Sequence, residues 1–90
     1  MVYERKILME QKLRRDRNIG SNLKALREKH NISQENLCAL LQRRGCDIGR
    51  STYAKYENGE LNIKISVLME LRKIYDCTYE DFFEGLDIQE

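Results

Sequence analysis

No proline occurs anywhere in the 90 residues. Proline is the commonest helix breaker, so its absence favours an all-helical chain and leaves the helix ends to other residues. No apolar run approaches the ~20 residues that a membrane span needs. Residues 1–8 also lack the apolar stretch of a signal peptide. Cysteine is scarce: Cys38, Cys46 and Cys77 are an odd number without a paired short spacing. That pattern fits reduced thiols in a cytoplasm better than a disulfide framework, so a cytoplasmic chain without a membrane partner is expected. Zinc sites favour short Cys–Cys spacings, and the gaps between His30 and the three cysteines are long. A metal- or redox-sensing reading is therefore weak, Cys38 is expected in the core, and neither metal nor cofactor is expected. With one histidine, no paired nucleophile and base and no phosphate-cradling glycine loop, an enzyme reading has nothing to stand on.

What is present is the composition of one small globular domain, 41% hydrophobic and 34% charged, too apolar for a disordered chain. The net charge of +1 hides a gradient. Residues 1–30 hold nine Lys and Arg against four acids, and residues 65–90 hold two against seven. A basic front and an acidic tail suggest a polyanion met by one end only.

The helical period recurs along the chain. Ile19, Leu23 and Leu26 line one face of a helix over about 18–30, which Asn31 ends by tolerating a left-handed conformation. Ser33 is an N-cap for a second helix, with Glu35 in its first turn and Leu37, Leu40 and Leu41 as its stripe. Gly45 is the expected stop. Residues 50–58 form a third segment with Tyr53 and Tyr56 on one face and Asn58-Gly59 at its end. A fourth helix covers about 64–75, with Ile65, Leu68, Leu71, Ile74 and Tyr75 inward. Thr78 and Asp81 form a variant capping box for a short fifth helix carrying Phe82, Phe83 and Leu86. No segment alternates long enough with period two to be a strand. Residues 1–17 read as an N-terminal extension, helical or frayed, and 87–90 as a tail.

Two short helices joined by a tight connection, 34–44 and 50–58, suggest a helix-turn-helix. The pieces "LREKHNISQENL" and "RSTYAKYENG", in that order, sharpen this. The chain resembles the lambda-repressor/Cro-type helix-turn-helix family, also called the xenobiotic-response-element family, over about residues 19–86. The resemblance implies an all-α, lambda-repressor-like five-helix domain spanning 18–86 that binds double-stranded DNA as a transcriptional regulator. Its third helix enters the major groove, which admits one helix of this size. Helical spacing puts Arg50, Ser51, Ala54, Lys55 and Asn58 on one side of that helix, opposite Tyr53 and Tyr56. By matched position, Arg50, Ser51 and Lys55 contact base edges. Gln34 binds phosphate at the start of helix two, and Thr52 and Asn58 contact or support the backbone. Arg27 and Glu57 match a structural ion pair of the family.

Two departures stand out. "QRRGCD" makes the connection from Leu41 to helix three roughly five residues longer than a helix-turn-helix turn of three to four residues. The simplest account lengthens helix two by a turn through Arg44, with Arg43 and Arg44 beside a phosphate strand or forming a solvated helix end, and Gly49 replaces the usual serine cap. After helix three, "GELNIK" offers Lys64 as the only basic residue for a backbone clamp, and Arg14, Arg15 and Arg17 are candidates to compensate. The competing reading is a protein-interaction or antitoxin-like module that keeps the fold with weak or no DNA binding. One short helix reads few base pairs, so a homodimer spanning half-sites ~34 Å apart is expected. Residues 2–13 and Phe82–Ile88 are the candidate dimer surfaces. No small-molecule effector is evident.

Overall fold

The computed structural model describes residues 19–86. The expected extension at 1–17, its arginines and the tail at 87–90 lie outside the described residues. Within them the chain forms five helices and no strand: α1 Gly20–Lys29, α2 Gln34–Arg43, α3 Arg50–Glu57, α4 Ile65–Tyr75 and α5 Tyr79–Phe82.

A single device ends the first four helices in place of proline. Asn31, Gly45, Gly59 and Asp76 each take a positive φ just past a helix end, at 55°, 93°, 77° and 50°. At each, the left-handed residue donates its N–H to the carbonyl three residues back, and the next residue reaches the carbonyl five back. After α2, for example, Gly45 N–H meets Gln42 at 3.1 Å and Cys46 N–H meets Leu41 at 2.9 Å. These are Schellman caps, which satisfy carbonyls that would otherwise lack donors. Helix starts are less uniform. The Ser33 hydroxyl accepts from Asn36 N–H at 3.0 Å. Thr78 and Asp81 form the reciprocal capping box, with Thr78 N–H donating to the Asp81 carboxylate at 2.9 Å. Gly49 has no side chain to cap α3.

The long connection from α2 to α3 is held at several points. α2 ends at Arg43, with Arg44 as its cap, one residue short of the expected end. The Gln42 side-chain amide donates to the Ile48 carbonyl at 2.9 Å, and Ile48 returns to the core at 6% exposure. The extra residues are thus taken up by the cap and a pinned turn, and α2 and α3 still pack against each other.

Leu23, Leu37, Leu41, Tyr53, Leu71 and Phe82 are fully buried. Burial of such side chains contributes about 1.5–3 kcal/mol each. α1 packs on α3 and α5, and α2 packs on α3 and α4. Asn22 fastens α1 to the end of α5 by donating to the carbonyls of Phe82 at 2.8 Å and Glu84 at 2.9 Å.

Two inward assignments are corrected. Ile65 is 72% exposed, and Val67 is buried in its place. At about 100° per residue Ile65 lies roughly 120° around from Leu71, whereas Val67 lies within about 40° of it. Phe83 is 48% exposed, because α5 ends at Phe82 and only that ring turns into the core.

Candidate nucleic-acid interface

Glu57, in the last turn of α3, is the one charged residue buried among those described. Its carboxylate accepts from Arg27 of α1 twice, from Nε at 2.7 Å and from Nη2 at 3.1 Å. It also accepts from Gln34 Nε2, at the start of α2, at 3.0 Å. Arg27 Nη1 reaches the Ile32 carbonyl at 3.0 Å, so the same guanidinium secures the turn between α1 and α2. One carboxylate therefore fixes three helices relative to one another. Burial alone would push the Glu57 pKa up, but the hydrogen bonds from Arg27 and Gln34 and the approach of the Tyr53 hydroxyl hold it below the usual carboxylate range. Tyr53 lies beside this carboxylate without a hydrogen bond of good geometry, and burial pushes its phenol far up. The Arg27 pKa is raised chiefly by its hydrogen bond to Glu57.

This hub aims α3. Tyr53 and Tyr56 are buried and stack edge to face with centroids 6.1 Å apart. Arg50, Ser51, Lys55 and Asn58 are exposed, and Thr52 and Ala54 are half-buried at the margin. α3 thus presents a polar outer surface with its aromatic face anchored below.

Arg50, Asn58 and Gln34 share the lining of a shallow cleft of about 480 Å³ where the outer face of α3 meets the start of α2. Lys24 of α1 also lines it, and sequence reasoning missed this residue. The available signal was its spacing, one turn before Arg27 on the same helix. Glu35 brings one negative charge to the same cleft. Gln34 is less free than a phosphate ligand would be, since one of its amide hydrogens is held by Glu57. Asn58 donates to Glu60 at 3.3 Å. Outside the cleft, Arg43 and Lys64 are exposed, and Arg44 pairs with Glu70 of α4 at 3.1 Å. Glu70 also pairs with Lys73 at 3.5 Å, so Arg44 belongs to a surface charge cluster on α4.

The thiols stand apart from this surface. Cys38 is buried in the core with its pKa raised by desolvation, and the Cys46 thiol contacts the Ser66 carbonyl. Among the described residues no cluster of His, Cys, Asp and Glu is gathered as a metal site, and no helix is long and apolar enough to cross a membrane.

Five helices, a three-helix ionic hub and a polar outer face on the third helix define a small all-α domain built around a helix-turn-helix. The family model described as helix-turn-helix matches residues 23–82, well over half of the chain, and the protein belongs to this lambda-repressor/Cro-type family. It is a family of DNA-binding regulators, not of enzymes. No curated protein and no solved structure matched the chain.

Proposed function

We propose that the protein is a sequence-specific transcriptional regulator that reads the major groove of double-stranded DNA with α3. The observation that carries this is the two-sided character of that helix: Tyr53 and Tyr56 are buried, while Arg50, Ser51 and Lys55 are exposed on its outer face. Arg50 forks onto a guanine edge, and Ser51 and Lys55 contact neighbouring bases. The start of α2, with the Gln34 side chain and the backbone N–H groups of Gln34 and Glu35, takes a phosphate, and the charge of Lys24 stands beside it. Thr52 and Asn58 support the backbone contact, and Arg43 and Lys64 extend it. Arg44 contributes after release from Glu70. A homodimer places two α3 helices on half-sites one helical turn apart.

The second reading, a protein-interaction module, is favoured by the surface after α3. Glu60 is acidic where a backbone clamp would be basic, and Leu61, Ile65 and Met69 are exposed nearby. Titration of duplex DNA over a range of salt concentrations separates the two. Phosphate contacts give a steep loss of affinity as salt rises, whereas an interaction module binds no duplex at any salt concentration.

A further inference from the structure

Asparagine is followed by glycine at one place in the chain, Asn58-Gly59, and the other five asparagines precede isoleucine or leucine. The distinction is chemical. A backbone nitrogen can attack the side-chain carbonyl carbon of an asparagine that precedes it, and a bulky side chain on the attacking residue blocks the approach. Glycine has no Cβ and leaves the approach open. Asparagine is among the thermally labile residues.

Asn58 stands where this chemistry matters. It is exposed, caps the C-terminal end of α3 and lines the cleft with Lys24, Gln34 and Arg50. The cap sets the pace of the reaction. Gly59 N–H donates to the Tyr56 carbonyl at 3.2 Å, and the Asn58 ψ of −6° turns that nitrogen aside from the Asn58 side chain. Ring closure therefore waits for the last turn of α3 to open locally, and helix ends open at much lower cost than the core. The product would change the charge of the cleft. The Asn58 amide now donates to Glu60 at 3.3 Å, and a carboxylate in its place repels Glu60. A negative charge at a helix C-terminal end also opposes the helix dipole. In the cleft it joins Glu35 and offsets one of the positive charges, Lys24 and Arg50, that draw a phosphate.

We propose that Asn58 is a site of spontaneous deamidation and that its conversion switches off the DNA-facing cleft. The Gly59 nitrogen bonds to Cγ of Asn58, the carbon–nitrogen bond of the side-chain amide breaks, and the Gly59 amide proton departs with that nitrogen as ammonia. Water then opens the cyclic imide at either carbonyl, leaving aspartate or β-linked isoaspartate at position 58. The chemistry is independent of DNA, and its consequence rests on the DNA-reading model.

Trypsin cleaves after Lys55 and Lys64 and releases residues 56–64, which carry Asn58 and, as an internal reference, Asn62. The full chain is aged at neutral pH and this peptide is mapped by tandem mass spectrometry, beside a synthetic peptide of the same sequence aged alone. Asn58 should convert and Asn62 should not, with Asn58 converting severalfold more slowly in the folded chain than in the free peptide. An Asn58 that stays intact in the folded chain after several half-lives of the free peptide overturns the proposal, as does equal conversion of Asn62. Asn58→Asp should lose duplex affinity severalfold and nearly equally for all sequences, as a change at a backbone contact does. An Asn58→Asp protein that binds duplex as the parent does overturns the switch. A parent that binds no duplex ends the DNA-reading model and with it the switch, while the mass record still decides the modification.

Discussion

Replacing Glu57 with alanine tests the hub on which the geometry of α3 depends. The substitution strands the Arg27 guanidinium, whose side chain is 11% exposed, with only its bond to the Ile32 carbonyl. It also removes the acceptor of the Gln34 amide. Breaking one side of a buried pair costs about 3–5 kcal/mol, and residual water access to Arg27 puts the expected loss near about 3 kcal/mol. In a domain of 60–100 residues each kcal/mol moves Tm by about 4–8 °C, so a fall of roughly 12–24 °C is expected. Urea unfolding followed by circular dichroism, without DNA, measures the loss, and an unchanged slope assigns it to stability. The paired substitution Arg27→Met with Glu57→Leu removes both charges and should recover part of the loss, since neither partner is left stranded. A Glu57→Ala protein within about 0.5 kcal/mol of the parent, the range of an ordinary surface substitution, would refute the reasoning. So would additive effects of the two single changes.

The depressed pKa of Glu57 makes its contribution fully present above the unfolded carboxylate value of about 4.3, and the contribution is lost as pH falls through the lower folded value. The stability gap between parent and Glu57→Gln should therefore stay constant from neutral pH to about 5 and close at lower pH, as acid titrations of the two proteins will show. Gly49 has φ −87° and open space where a Cβ would stand, so Gly49→Ser should cap α3 and stabilise by about 0.5–1 kcal/mol in thermal melts. Gly45→Ala forces a side chain onto φ +93° and should cost about 1 kcal/mol or more in the same assay. Arg44→Ala breaks only an exposed pair with Glu70 and should change stability by less than about 1 kcal/mol.

The features legible in the sequence were those set by local chemistry. Ser33, Thr78 and Asp81 cap helices because their oxygens reach N–H groups three residues away, and such spacing is visible in any sequence. Asn31 and Gly45 read as stops because both residue types tolerate the left-handed conformation, whereas Asp76 does not stand out, because aspartate is a less specific mark of a left-handed helix end than glycine. Ile65 misled because an apolar residue at a helix start fits a spacing rule while lying off the buried stripe. The Arg27–Glu57 pairing came from family resemblance, since residues 30 apart show no local signal. The third arm, from Gln34, was hidden because its side-chain direction depends on how α2 meets α3. Lys24 has a weak local signal, its place one turn before Arg27, but the packing of α1 on α3 is what brings it to the cleft beside Arg50.

Selecting bound duplexes from a random pool, then titrating the parent and Arg50→Ala against the selected site and its single-base variants, asks directly whether α3 reads DNA. The parent should bind one half-site sequence in preference to others. Arg50→Ala should lose about 1–3 kcal/mol and relax the preference at one base pair. Lys24→Ala should weaken all sequences nearly equally, as loss of a phosphate contact does. A parent protein that enriches no duplex even at low salt would rule out DNA reading by α3, as would an Arg50→Ala variant that keeps both affinity and preference.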